Sequence, residues 1–219
     1  MPPSPDSLYY PAFLNIAGQQ CVIIGGGKVA ERKCSVLLRA GARVTLISPE
    51  ITRRLEQYRG KGLLRHLKRH YRKGDIQSAF AVIVATNSEE MNRQVAADAA
   101  ASRVLLNVVD NPALCTFIAP SVLKRGPLTI AVSTGGVSPA MARTIRKELE
   151  LTYGAVFSEY LKFLRDIRRR ALREISDKGK RERFLKGLAS EKMMELLRGK
   201  GFPEAKKTAL KRWQRCNIR

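Results

Sequence analysis

The sequence predicts an α/β fold: a Rossmann-like parallel sheet domain, then a small α+β segment, then a helical C-terminal domain. Three observations predict it. Short β-rich runs alternate with helical stretches over residues 20–110, the pattern of βαβ units. A glycine-rich turn joins the first of those runs to the first helical stretch. Beyond residue 150 the pattern turns helical and basic.

Gln20 to Gly25 is apolar enough for a buried first strand, and Lys28 to Ala40 carries Val29, Val36 and Leu37 at helical spacing before Gly41 ends it. Arg43 to Ser48 is a second strand, Pro49 to Arg59 a helix, and Leu63 to Tyr71 a more polar, edge-like strand. Ala81 to Thr86, Glu89 to Ser102 and Val104 to Val109 read as strand, helix and fifth strand. Two strands then flank the turn Lys124-Arg125-Gly126-Pro127. Ser138-Pro139 opens a helix with Ser as N-cap and Pro at its first position. The helical remainder is broken near Gly154, Gly179, Gly199 and Pro203. The expected divisions are 1–118 for the Rossmann domain, 119–150 for the α+β segment and 151–219 for the basic helical domain.

Length and composition set limits. The chain has 219 residues, enough for a Rossmann-sized domain and a smaller companion. A hydrophobic fraction of 44% and a mean hydropathy of -0.22 describe a globular chain. No apolar run nears the roughly 20 residues of a membrane span. Met1 to Ser7 is polar and Pro-rich, without the pattern of a signal peptide, so a cytoplasmic location is expected. Cys21, Cys34, Cys115 and Cys216 are scattered without ligand or disulfide spacing. The net charge of +22 calls for an anionic partner. Residues 151–219 hold 20 Lys/Arg against 8 Asp/Glu, and residues 1–150 hold 21 against 11. Nucleic acid, acidic lipid and a polycarboxylate metabolite all fit that charge.

Gly25-Gly26-Gly27-Lys28-Val29-Ala30 matches GxGxxA between a strand and a helix. Gly25 permits the turn, Gly27 admits a pyrophosphate to the backbone, and Ala30 lets helix and strand pack closely. A pyrophosphate would rest on the helix N-terminus. Dinucleotide binding follows, and NAD is favoured over NADP because no Arg abuts the second-strand end. In Ser48-Pro49-Glu50, Glu50 is a candidate for the ribose hydroxyls, or else a first-turn helix carboxylate. Thr86 and Asn87 follow the fourth strand, where they line the nicotinamide side, or else Asn87-Ser88 caps the next helix.

Asp110, at the end of Asn107-Val108-Val109-Asp110-Asn111-Pro112, reads either as an acid that takes a proton at the crevice or as an Asx turn before proline. Ser133, Thr134 and Gly135, with Gly136, offer hydroxyls and N–H groups to a substrate carboxylate, or serve as a strand-to-helix connection. His66 and His70 share one strand face with no third ligand nearby, and a solvated basic face is the better reading. No metal site is expected. Arg168-Arg169-Arg170 lies in helices with little aromatic interleaving, so a solvated surface is preferred to a nucleic-acid interface.

In combination these motifs resemble the precorrin-2 dehydrogenase family, which includes the N-terminal part of bacterial siroheme synthase and the fungal bifunctional enzyme. The resemblance runs over residues 9–150. It is carried by Tyr10-Pro11-Ala12-Phe13-Leu14, Val22 to Lys33, Val84-Ala85-Thr86-Asn87, Asn107 to Pro112, Phe117-Ile118-Ala119-Pro120 and Ala131 to Pro139. It implies NAD-dependent oxidation of precorrin-2 to sirohydrochlorin, on the route to siroheme, by a homodimer whose middle segment exchanges between subunits. By position it implies that Lys28 and Val29 lie on the phosphate loop, with Pro49 and Glu50 near the adenosine. Asp110 is then the catalytic acid, and Ser133 and Thr134 line the substrate cleft. A substrate bearing eight carboxylates would account for the positive charge.

Some members of that family also insert Fe2+ into sirohydrochlorin, with iron as a substrate, and the residues leave this open. The sequence ends at Arg219 without a methyltransferase domain, so the expectation is that another protein makes precorrin-2. A remoter reading is an NAD-sensing regulatory module that contacts nucleic acid through the basic helices.

Overall fold

The computed structural model describes residues 9–217, so the Pro- and Ser-rich start, Met1 to Ser7, lies outside the described residues. The chain forms two compact units, Met1–Ala119 and Pro120–Arg219.

In the first unit, apolar runs bounded by turn residues become β1 (Gln20–Ile24), β2 (Arg43–Ile47), β3 (Leu64–Leu67), β4 (Ala81–Val84) and β5 (Leu105–Val108). They form one parallel sheet in the order β3-β2-β1-β4-β5. The more polar β3 is at an edge, as its sequence predicts. The helices are α1 (Lys28–Arg39), α2 (Arg53–Gly60) and α3 (Glu89–Ser102). Alternate residues of the strands feed two cores. Ile23, Leu46 and Ile83 pack with Ala30 and Cys34 of α1 and Leu55 of α2. Val22, Val82, Val84 and Leu106 pack with Val95 and Ala99 of α3. Burial on both faces explains why the strands read as continuous apolar runs rather than alternating ones. Strand order reverses between β1 and β4, which puts the topological switch point beside the glycine-rich turn.

Three predicted boundaries move, each for a local reason. The second helix begins at Arg53, not Pro49, because the Thr52 N–H donates to the Gly26 carbonyl and the Thr52 hydroxyl caps the helix at Leu55. β3 ends at Leu67, where the Arg69 N–H turns back to the Leu67 carbonyl, so His70 lies outside the strand. β5 ends at Val108, leaving Asp110 in the turn beyond it. The open edge of β5 is covered by the chain's own return: the Thr116 and Phe117 N–H groups donate to the Leu106 carbonyl, and Leu106 N–H donates to the Thr116 hydroxyl at 2.7 Å. The Leu106 N–H and carbonyl at this edge are thereby satisfied within the unit.

The second unit begins with the hairpin β6 (Ser121–Arg125) and β7 (Leu128–Val132), antiparallel across Gly126-Pro127. Helices α4 (Pro139–Thr152), α5 (Ala155–Glu174), α6 (Lys178–Leu188) and α7 (Glu191–Asn217) follow, and Ser138 caps α4 as predicted. Phe157, Tyr160, Ile167, Phe184, Leu188, Leu197 and Trp213 fill their core, where the Tyr160 hydroxyl donates to the Leu188 carbonyl at 2.7 Å. Two expected breaks shift. Gly179 sits inside the first turn of α6 behind the Asp177 cap, and α7 breaks at Gly201 rather than Gly199. Among the described residues no helix is long and apolar enough to cross a membrane.

Candidate active site

Gly25, Gly26 and Gly27 join β1 to α1 at the carboxyl edge of the sheet. Gly25 has φ +113°, a backbone that side chains rarely adopt, and a Cβ there would lie 2.3 Å from the Ala85 carbonyl oxygen. Its N–H donates to the Ile47 carbonyl at 2.9 Å, so the turn is sewn to β2 as well as pressed on β4. Gly27 differs: a Cβ there would meet nothing within 4 Å. The backbone at Gly27 therefore faces open space, and no side chain caps α1. Lys28 and Val29 are the first residues of that helix, and Ala30 is fully buried against the sheet. An exposed glycine at a helix start with uncapped N–H groups is the arrangement a pyrophosphate requires. These residues fit a dinucleotide.

Ser48 and Glu50 shape the wall at the end of β2. Ser48 is buried, and its hydroxyl donates to the Glu50 carbonyl at 2.7 Å, which fixes the Ser48-Pro49-Glu50 corner. Glu50 itself is exposed. His66 and Thr52, the latter unmarked by any motif, complete the corner. His66 places Nε2 2.8 Å from the Ser48 carbonyl oxygen, and the Thr52 hydroxyl donates to the Glu31 carboxylate at 2.6 Å. His66 thus braces the β2 end rather than lying on a merely solvated face. Only the short polar run around it, with no motif, could have signalled this.

Beyond β4, the Thr86 hydroxyl donates to Asn92 Oδ1 at 3.2 Å and accepts from the Ser88 N–H. Of the expected Asn87-Ser88 pair, Ser88 caps α3, and Asn87 is left exposed. Thr86 is therefore a structural brace at the crevice rim, with Asn87 beside it.

Asp110 has φ +58° and is exposed. Left-handed backbone is uncommon outside glycine, and Asp and Asn tolerate it best. The turn that carries it is anchored from below. Cys115 Sγ accepts from the Val108 N–H at 3.1 Å and donates to the Asn111 carbonyl at 3.3 Å. Burial pushes the Cys115 thiol up from its ordinary range, so it stays neutral at neutral pH. The buried Asn107 gives its amide N–H to the Phe117 carbonyl at 3.1 Å. An exposed carboxylate on a left-handed turn at the carboxyl end of β5 suits proton transfer.

In the second unit, the Ser133 hydroxyl accepts from the Gly135 N–H at 3.1 Å and the Thr134 hydroxyl accepts from the Ser138 N–H at 3.0 Å. Gly135 and Gly136 both have positive φ, at +64° and +95°. Both hydroxyls shape their own loop, and each keeps its O–H for another acceptor. Arg168, Arg169 and Arg170 are exposed; Arg170 pairs with Glu174 and lies over Trp213 at 4.8 Å, as a solvated helix face does. Among the described residues no group of three or more His, Cys, Asp or Glu is gathered to hold a metal ion.

The parallel sheet, its switch point and the glycine cradle define a dinucleotide-binding protein of the Rossmann class. A family model described as "Putative NAD(P)-binding" matches residues 12–121, and one described as "Sirohaem biosynthesis protein central" matches residues 125–150. The chain belongs to this NAD(P)-binding family. It is 39% identical over 188 residues to the siroheme synthase of Nitrosomonas europaea, covering 84% of this chain and 40% of that protein. It is 40% identical over 158 residues to the siroheme synthase of Methylobacillus flagellatus, covering 72% of this chain and 34% of that protein. The chain thus spans well under half the length of these relatives. Among solved structures, SirC, a precorrin-2 dehydrogenase, shares the fold with a TM-score of 0.76 at 24% identity, covering 93% of this chain and 100% of that one.

Proposed function

We propose that this protein oxidises precorrin-2 to sirohydrochlorin with NAD+, releasing NADH and a proton. The single observation that carries the reading is the pairing, in one unit, of a glycine cradle open at Gly27 with a carboxylate at Asp110 on a left-handed turn. The likeness to siroheme synthases and to SirC supports the choice of substrate.

Gly25, Gly26, Gly27, Lys28 and Val29 hold the pyrophosphate, Ser48, Pro49 and Glu50 shape the adenosine wall, and Thr86 and Asn87 rim the nicotinamide side. NAD+ supplies a hydride acceptor when bound. Asp110 takes the proton that the ring loses as the hydride leaves, so that two electrons and one proton depart together with the second proton balanced at the acid. Ser133 and Thr134, on the loop that Gly135 shapes, receive substrate carboxylates through their remaining O–H donors. The +22 charge draws a polycarboxylate toward the protein. NAD is preferred to NADP because the β2 end presents Glu50 and no adjacent arginine. Iron as a second substrate rests on Asp110 alone, and no further observation favours it.

The working form is a homodimer joined through residues 119–150, acting in the cytoplasm. Val122, Val137 and Met141 in that segment and Leu151 just after it are exposed apolar side chains, with Leu151 88% exposed, and a second copy is the partner that would cover them. The deciding assay is anaerobic: purified protein, enzymatically made precorrin-2 and NAD+, without metal. NADH and sirohydrochlorin formed one for one support the reading, and NAD+ binding without turnover overturns it.

A further inference from the structure

Lys33, on the second turn of α1, is the residue that the glycine cradle and its chemistry leave unexplained. It is half-buried, and among the described residues no carboxylate forms an ion pair with it. Its one hydrogen bond runs from Nζ to Asn107 Oδ1 at 3.5 Å, the long limit for such a contact. A lysine that gives up water for a single neutral amide oxygen is costly to keep.

The surroundings say what the charge faces. Burial first, and Arg32 on the same helix second, press the Lys33 ammonium below the ordinary lysine range. Cys115 and Asp110 act the other way. Of the two, Cys115 is a buried thiol pushed up by its burial, and Asp110 is the carboxylate. Asn107, to which Lys33 is tied, lies three residues before Asp110, and it is clamped on its other side by the Phe117 carbonyl. The cation is therefore fixed to the base of the very turn that carries the acid.

We propose that Lys33 is a positioning residue for Asp110: tethered to the Asn107 amide, its ammonium is the fixed positive charge behind the β5 turn that holds the Asp110 carboxylate in its working orientation. This deepens the dehydrogenase reading and rests on it for the consequence in turnover. The interaction itself can be measured without any substrate.

Two experiments test it. In the first, Lys33→Met and Lys33→Arg are compared with the wild type for NAD+ affinity, kcat and KM. Lys33→Met is expected to lower kcat about tenfold or more while NAD+ affinity stays within about twofold, and Lys33→Arg to recover most of the loss, since it keeps charge and reach. A Lys33→Met protein with wild-type kcat overturns the proposal, as does a loss that Lys33→Arg fails to recover. In the second, the Lys33 side chain is followed by carbon-13 NMR through a pH titration in the wild type and in Asp110→Asn. Loss of the carboxylate should move the Lys33 midpoint to lower pH, and an unmoved midpoint overturns the coupling. If the wild type does not oxidise precorrin-2, the dehydrogenase reading fails, and the titration still decides the proposal.

Discussion

The Glu50 carbonyl oxygen stands where a side chain at Gly26 would begin: a Cβ there would lie 1.9 Å from it. Ser48 holds that carbonyl in place through its hydroxyl, and Thr52 returns a hydrogen bond to the Gly26 carbonyl at 3.1 Å. The middle glycine is thus dictated by the protein's own packing, whereas Gly27 faces open space.

The two glycines should respond differently to the same change. Gly26→Ala is expected to cost about 1–3 kcal/mol of stability through overpacking, seen as a lowered Tm. Gly27→Ala should melt as the wild type does and lose NAD+ affinity about tenfold, because its methyl group occupies the space a pyrophosphate needs. Calorimetric titration with NAD+ and thermal melts of both variants check this. A Gly27→Ala protein that binds NAD+ normally would contradict the cradle.

Much of this was legible from residues alone. Apolar runs marked four strands of the sheet, a more polar run marked the edge strand β3, and GxGxxA in a strand–helix setting marked the cradle. What stayed hidden was tertiary. That α2 begins after a Thr52 cap and not at Pro49 depends on a hydrogen bond to Gly26, 26 positions earlier. His66 braces the end of β2 across 18 residues, and Lys33 meets Asn107 across 74, and neither contact leaves a periodic trace in the sequence. The left-handed backbone at Asp110 was likewise foreshadowed only by the Asp-Asn-Pro turn signal.

Acid stability should be traceable to Asp75. The Arg69 guanidinium grips its carboxylate at 2.7 and 2.8 Å, with the Arg72 N–H as a further donor, and together they hold it below the usual carboxylate range. A lowered folded value means that its contribution is present above the unfolded carboxylate pKa and is lost as pH falls through the folded one. Asp75→Asn is expected to cost up to about 1 kcal/mol at pH 7, since the pair is partly exposed, and nothing at the acid end. Melting curves from pH 7 to pH 2 should converge for the two proteins. Parallel curves would contradict the assignment.

The exposed apolar set on residues 119–150 and the adjoining Leu151 predicts a change of mass. Leu151→Glu and Val122→Asp should turn a dimer into a monomer in light scattering without unfolding either unit. Both positions are exposed in the single chain, Leu151 at 88% and Val122 at 46%, so neither change burdens the core. An unaltered mass in the double variant would place the interface elsewhere.

Charge should govern substrate capture rather than chemistry. KM for precorrin-2 is expected to rise severalfold between about 0.05 and 0.5 M salt while kcat changes little, because screening shortens the reach of the field that draws in a polycarboxylate. A salt-independent KM would remove the +22 charge from the account.

The most direct test compares the wild type with Asp110→Asn under anaerobic conditions with precorrin-2 and NAD+ and without metal. Asn keeps the left-handed turn and removes the carboxylate, so folding and NAD+ binding should persist. The account predicts one NADH per sirohydrochlorin in the wild type and a fall of about a hundredfold or more in the variant. Equal rates in the two proteins, or no NADH from the wild type, would contradict it.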